Sequence, residues 1–130
     1  MTSWTQAAYA YDGSFAGFLS CIAERFLSRE TPVHFFPPGE SQYSLYPLRE
    51  IESDSHMARR VYVSLKTNIS LQARQLVEES FLTCLPQKER HIYDYIYTSF
   101  TAGPLTDLTD DRVLVLTNAV RHLGGEAHLL

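Results

Sequence analysis

Residues 7–19 read AAYAYDGSFAGFL. Tyr9 to Asp12 suits a short strand that breaks on an acid and a glycine. Phe15, Phe18, Leu19, Ile22 and Phe26 then recur at helical spacing to about Arg29. Strand, glycine turn and helix N-terminus together form the frame on which phosphate loops are built, so the turn either binds an anion or only folds. A phosphate loop needs several glycines whose N–H groups surround the phosphates, plus a Lys and a Ser or Thr. Here only Gly13 and Gly17 are present, no Lys follows, and Asp12 repels an anion. Helix capping accounts for the whole turn, with Asp12 or Ser14 as the cap and Gly13 at the tight bend.

Working outward, Pro32, Pro37, Pro38 and Gly39 punctuate residues 31–44, which read as a long surface loop with Phe35 and Phe36 tucked beneath it. SLYPLREIES, residues 44–53, reads as a second strand that Pro47 confines to an edge or a bend. Asp54 is placed to cap a helix marked by Ala58, Val61, Tyr62 and Leu65, which Asn68 ends, and Ser70 caps the next. On that helix Leu76, Val77, Phe81 and Leu82 form the inner face, and Pro86 stops it. Ile92, Tyr93, Ile96 and Phe100 align on a further helix that Gly103 and Pro104 terminate. The last begins near Asp110 and Asp111 and carries Val113, Leu116, Val120 and Leu123.

The expected fold is therefore α+β and mainly helical: a small two-stranded sheet segment, about five helices, and one domain over residues 1–130 with no internal boundary. The length and a hydrophobic content of 45% suit an ordinary globular domain. Eleven Lys and Arg against 15 Asp and Glu leave a net charge of -4, which disfavours a free-standing nucleic-acid binder. Cys21 and Cys84 lie in apolar helical patterns rather than in ligand spacing and read as buried free thiols. No leader and no membrane-spanning run is legible, which places the chain in the cytoplasm.

The candidate sites are few. Arg59, Arg60 and Lys66 form the densest basic group, with Arg59 and Lys66 seven residues apart on one helical face, and are the candidate nucleic-acid contacts. His122, Glu126 and His128 cluster in sequence, but Gly124 and Gly125 are expected to break the register between them, so neither a metal site nor a cofactor site is assigned. Tyr93, Tyr95 and Tyr97 alternate on one helix and point different ways, so at least one is expected to reach a surface, another element or a base; with Asp94 and Thr98 beside them, core packing is preferred to a stacking platform. No nucleophile motif such as G-x-S-x-G is present.

Taken together, YAYDGSFAGFL, HMARRVY, a helix ending ESFL, IYDYIYTSF and VLVLTNAVRHLGGEAH resemble a bacterial family of DNA metabolism or repair proteins. The likeness covers nearly all of the chain and lies in the domain of unknown function that opens those proteins. Tyr11, Asp12, Gly13, Ser14 and Phe15 match its opening; Ala58, Arg60, Val61 and Tyr62 match its A-x-R-V-Y helix, with Arg59 in the variable position; Glu126, Ala127 and His128 match a late E-A-H segment. Some members are fused to a uracil-DNA glycosylase-like domain, and a radical-SAM protein with a helix-hairpin-helix is the suggested partner.

What the resemblance implies is a docking or DNA-positioning module, without chemistry of its own, that reaches DNA through a partner. Its alternatives are an enzyme acting on nucleic acid or a nucleotide around Glu126 and His128 with Asp12 nearby, and a helical dimerisation protein. Members continue past the E-A-H segment, whereas this sequence ends on Leu129 and Leu130. More chain is expected to follow; without it Leu129 and Leu130 are expected either to fray or, preferentially, to be buried against a second copy in a homodimer.

Overall fold

The computed structural model describes residues 5–40 and 45–129, with 123–129 described through their backbone alone. Where the sequence shows no linker, the contacts divide the chain between Val63 and Ser64 into two compact units.

The first unit is a small parallel sheet with two helices. Strand β1 (Thr5–Ala10) leads into α1 (Phe15–Ser28), which returns the chain to β2 (Glu30–Phe36); β3 (Leu48–Glu50) and α2 (Ser55–Ser64) follow. The sheet order is β2-β1-β3, with both pairings parallel. Three consecutive residues of β1, Ala7, Ala8 and Tyr9, are fully buried, as expected of a central strand with both faces closed. One of these faces meets α1 through a chain of rings, Tyr9 to Phe35 at 6.0 Å and Phe18 to Phe35 at 5.6 Å.

The expectation of two strands is corrected to three, because β2 occupies part of the stretch expected to be loop. Its proline is tolerated for two reasons: β2 is an edge strand, and Pro32 pairs with Ala7 where the register shifts. A missing N–H at such a place breaks little of the ladder. Only Leu48–Glu50 of the expected second strand forms a ladder. The strand opening the chain likewise ends at Ala10, short of Asp12. Phe26, expected on the inner face of α1, is 41% exposed.

Helix α1 ends on Arg29, which takes a left-handed conformation at φ 52° and ψ 41°. A side chain carries a steric cost there that glycine does not. Arg29→Gly is therefore expected to raise stability by about 0.5–1 kcal/mol, after the flexibility glycine adds to the unfolded chain. Urea unfolding checks this; an unchanged or lower midpoint would show that the Arg29 side chain holds the joint by contacts of its own.

The second unit is helical. A π-helical turn (Leu65–Ile69), closed by Ser70 N–H donating to the Leu65 carbonyl at 3.0 Å, precedes α3 (Leu71–Phe81), α4 (Lys88–Ala102) and α5 (Asp111–Leu129). Ser70 caps α3 as expected, its hydroxyl accepting from Ala73 N–H at 3.0 Å. The core is built from Leu65, Val77, Ile92, Ile96 and Leu116, all fully buried. Leu82, expected on the inner face of α3, is 70% exposed, because it is the residue on which that helix ends. Gly103, with φ at 96°, closes α4. The expected break at Gly124 and Gly125 does not occur: α5 runs through both to Leu129. A glycine inside a helix costs only about 1 kcal/mol, which neighbouring turns absorb. Among the described residues no helix is long and apolar enough to cross a membrane.

Candidate functional site

The opening turn is closed by a short relay of hydrogen bonds. One Asp12 carboxylate oxygen accepts from Ser14 N–H at 2.9 Å and from the Ser14 hydroxyl at 2.6 Å, and that hydroxyl accepts in turn from Gly17 N–H at 2.9 Å. Ser14 is thus the N-cap, and Asp12 fixes the orientation of the cap. These bonds hold the Asp12 carboxyl below its usual range, the Ser14 hydroxyl contributing most. Gly13 supplies the left-handed bend at φ 84°. A Cβ on Gly17 would lie 2.2 Å from the Asp12 carboxylate, so the second glycine makes room for that acid. An anion seated at the start of α1 would meet this carboxylate, which agrees with the reading of the turn as structural.

A second polar group joins four elements of the same unit. Arg49 on β3 donates to Glu24 of α1 at 2.7 Å and to Glu30 of β2, and the Tyr9 hydroxyl of β1 donates to the same Glu30 at 2.8 Å. The Arg49 guanidinium also lies 5.9 Å from the centre of the Tyr9 ring. Hydrogen bonds from Ser28 and then Arg49 hold the Glu24 carboxyl below its ordinary range. Burial, then the bond to Glu30, push the Tyr9 phenol well above its own. Beside this group Glu24, Arg49, Glu50, Glu52 and Asp54 line a polar notch of about 170 Å³. With its one arginine already bound to two carboxylates, the notch repels phosphate.

Ser20 links α1 to the start of α2. Its hydroxyl accepts from Asp54 N–H at 2.9 Å, and one Asp54 carboxylate oxygen accepts from His56 N–H and Met57 N–H at 3.0 and 3.2 Å. Asp54 is therefore the cap that the sequence suggested. None of the four residues in the Arg49 group was legible as a group. The only signal was the placing of Glu24, Glu30 and Arg49 within or beside otherwise apolar elements.

The basic candidates divide. Arg59 and Arg60 are exposed on α2, directly after the buried Ala58, and neither makes an ion pair with another described residue. Lys66 is exposed on the π-helical turn of the second unit. Glu126 and His128 stand on α5, their side chains outside the described residues, as are those of Leu129 and Leu130. Among the described residues no group of three His, Cys, Asp or Glu is placed to hold a metal ion. Cys21 is buried as expected, but Cys84 is exposed because it lies just beyond the end of α3. Tyr97 is the member of the tyrosine series that reaches the surface; Tyr93 and Tyr95 are buried.

Comparison with protein-family models, with curated proteins and with solved structures yields no match for this chain.

Proposed function

We propose that the chain is a docking or DNA-positioning module of a bacterial DNA repair or DNA metabolism system, working in the cytoplasm with a partner protein. One observation carries this reading. Of the residues that resemble the family's motifs, Asp12, Gly13 and Ser14 are occupied in capping α1, while Arg60, with Arg59 beside it, is exposed and unpaired among the described residues. An exposed arginine pair suits a phosphate backbone or an acidic partner surface. The partner implied by the resemblance is a radical-SAM protein with a helix-hairpin-helix.

Alone, the chain is expected to bind duplex DNA weakly, with a dissociation constant above about 1 μM at physiological salt, since a net charge of -4 leaves few contacts to release counterions. Calorimetry against the purified partner, and fluorescence anisotropy with a labelled duplex, test both halves. Arg59→Glu with Arg60→Glu should weaken the partner complex about tenfold or more and leave the unfolding midpoint unchanged. Sub-micromolar duplex binding by the chain alone, or a partner complex indifferent to the double charge reversal, would overturn the proposal.

A further inference from the structure

The second unit holds a cleft that the capping turn, the arginine pair and the docking reading leave unused. It measures about 710 Å³ and is walled by α3, α4, α5 and the segment between the last two, with Ala73, Leu76, Tyr95, Leu105 and Val113 among its lining. That volume falls within the range of small-molecule sites, which are mostly apolar with a few placed polar groups.

Ser70, Gln72, Gln75, Thr106 and Thr117 also line the cleft, half-buried or exposed, and Tyr95 is the buried polar group among the described lining residues. Its side chain belongs to the core, at 5% exposure, yet it borders the cleft, and its hydroxyl makes no hydrogen bond to another described residue. Ser80 and Ser99 are the described side chains whose polar atoms are both fully enclosed and unpartnered, so the Tyr95 oxygen keeps some access to solvent. A phenol on a ring otherwise packed away, at the wall of a cleft of mixed apolar and polar lining, offers one directed hydrogen bond. Burial raises its pKa, which keeps it protonated and able to donate. Among the described lining residues Glu79 is the one that carries a charge, and it disfavours an anion.

We propose that this cleft is a binding site for an uncharged, largely apolar small molecule carrying a single carbonyl acceptor, which receives the Tyr95 hydroxyl proton in a hydrogen bond. The apolar body lies against Leu76, Leu105 and Val113. An apolar wall alone would suit a partner helix or a second copy equally. A single buried donor, with the other polar side chains half-buried or exposed, favours a compact ligand that brings one acceptor to it.

The test uses the full chain and two probes, 2-acetylnaphthalene and naphthalene, followed by methyl and amide chemical shifts in NMR titrations. Both probes should shift signals of Leu76, Leu105 and Val113. Tyr95→Phe should weaken the ketone about fivefold and leave the hydrocarbon unchanged, as the loss of one neutral hydrogen bond predicts. Thr117→Trp, at a half-buried position on the wall, should abolish binding of both. The proposal fails if neither probe shifts these signals at millimolar concentration, if Tyr95→Phe affects both probes equally, or if Thr117→Trp folds and still binds. It fails equally if the same signals move with protein concentration alone, which would assign the cleft to a second copy.

Discussion

Arg49→Met is expected to destabilise the protein by about 1–2 kcal/mol at pH 7, in a pattern that separates a working network from a surface ion pair. Arg49 binds two carboxylates at once, and Glu30, whose side chain is 13% exposed, would be left with the Tyr9 hydroxyl alone. Breaking a fully buried pair costs about 3–5 kcal/mol, and exposed pairs contribute about 0–1. Arg49 itself is 38% exposed, so solvent screens part of the effect and the figure falls between the two.

The pH dependence follows from the directions of the shifts. Glu24 has a folded pKa below its unfolded value, so its contribution is complete above about pH 4.5 and is lost as pH falls through the folded value. The gap between wild type and Arg49→Met should therefore narrow on acidification. Tyr9 shifts upward, so its contribution is complete below about pH 10 and is lost as pH rises beyond that. Urea unfolding from pH 3 to 10.5 reads both limbs. A difference under about 0.3 kcal/mol at pH 7, or one independent of pH, would show that the four residues touch without stabilising. Arg49→Met combined with Glu24→Gln supplies the coupling: if the two losses simply add, Glu24 and Arg49 act independently.

Gly13→Ala is expected to cost about 1–2 kcal/mol, from two sources. At φ 84° a side chain enters a left-handed conformation that costs an L-residue about 1–2 kcal/mol. The new Cβ would also lie 3.3 Å from Pro38 Cδ, and the pyrrolidine ring is a stiff neighbour. Moving Gly13 further threatens the relay from Asp12 through Ser14 to Gly17 N–H, so part of the cap, worth about 0.5–2 kcal/mol, is at risk as well. Thermal and urea unfolding measure the loss. Nucleotide binding should be absent before and after the change, because the carboxylate stands where a phosphate would sit. Calorimetric binding of ATP or GTP that disappears in Gly13→Ala would show that the turn binds as well as folds.

What the sequence determined by itself is local. Ser14, Asp54 and Ser70 announced three helix starts because a capping side chain bonds to N–H groups two or three residues away. Gly13 and Gly103 announced bends that need positive φ, and the periodicity of Phe18, Ile22, Ile92 and Ile96 announced buried helical faces. All of these are interactions within about one turn of the chain, and residue order encodes them directly.

Tertiary structure decided the rest. Whether Pro32 lies in a loop or a strand depends on the edge of β1 beside it, and an edge strand with a register shift accepts a residue that a central strand refuses. The cluster of Tyr9, Glu24, Glu30 and Arg49 exists because parallel pairing carries β2 and β3 to either side of β1. Residues 25 or 19 positions apart thereby meet around one guanidinium. Tyr95 and the cleft were hidden for the same reason: helical spacing shows which residues turn inward, but the space left among three packed helices depends on how their side chains fill one another's gaps. Interactions between distant parts of the chain leave no period in the sequence, so only the folded arrangement brings them to one place.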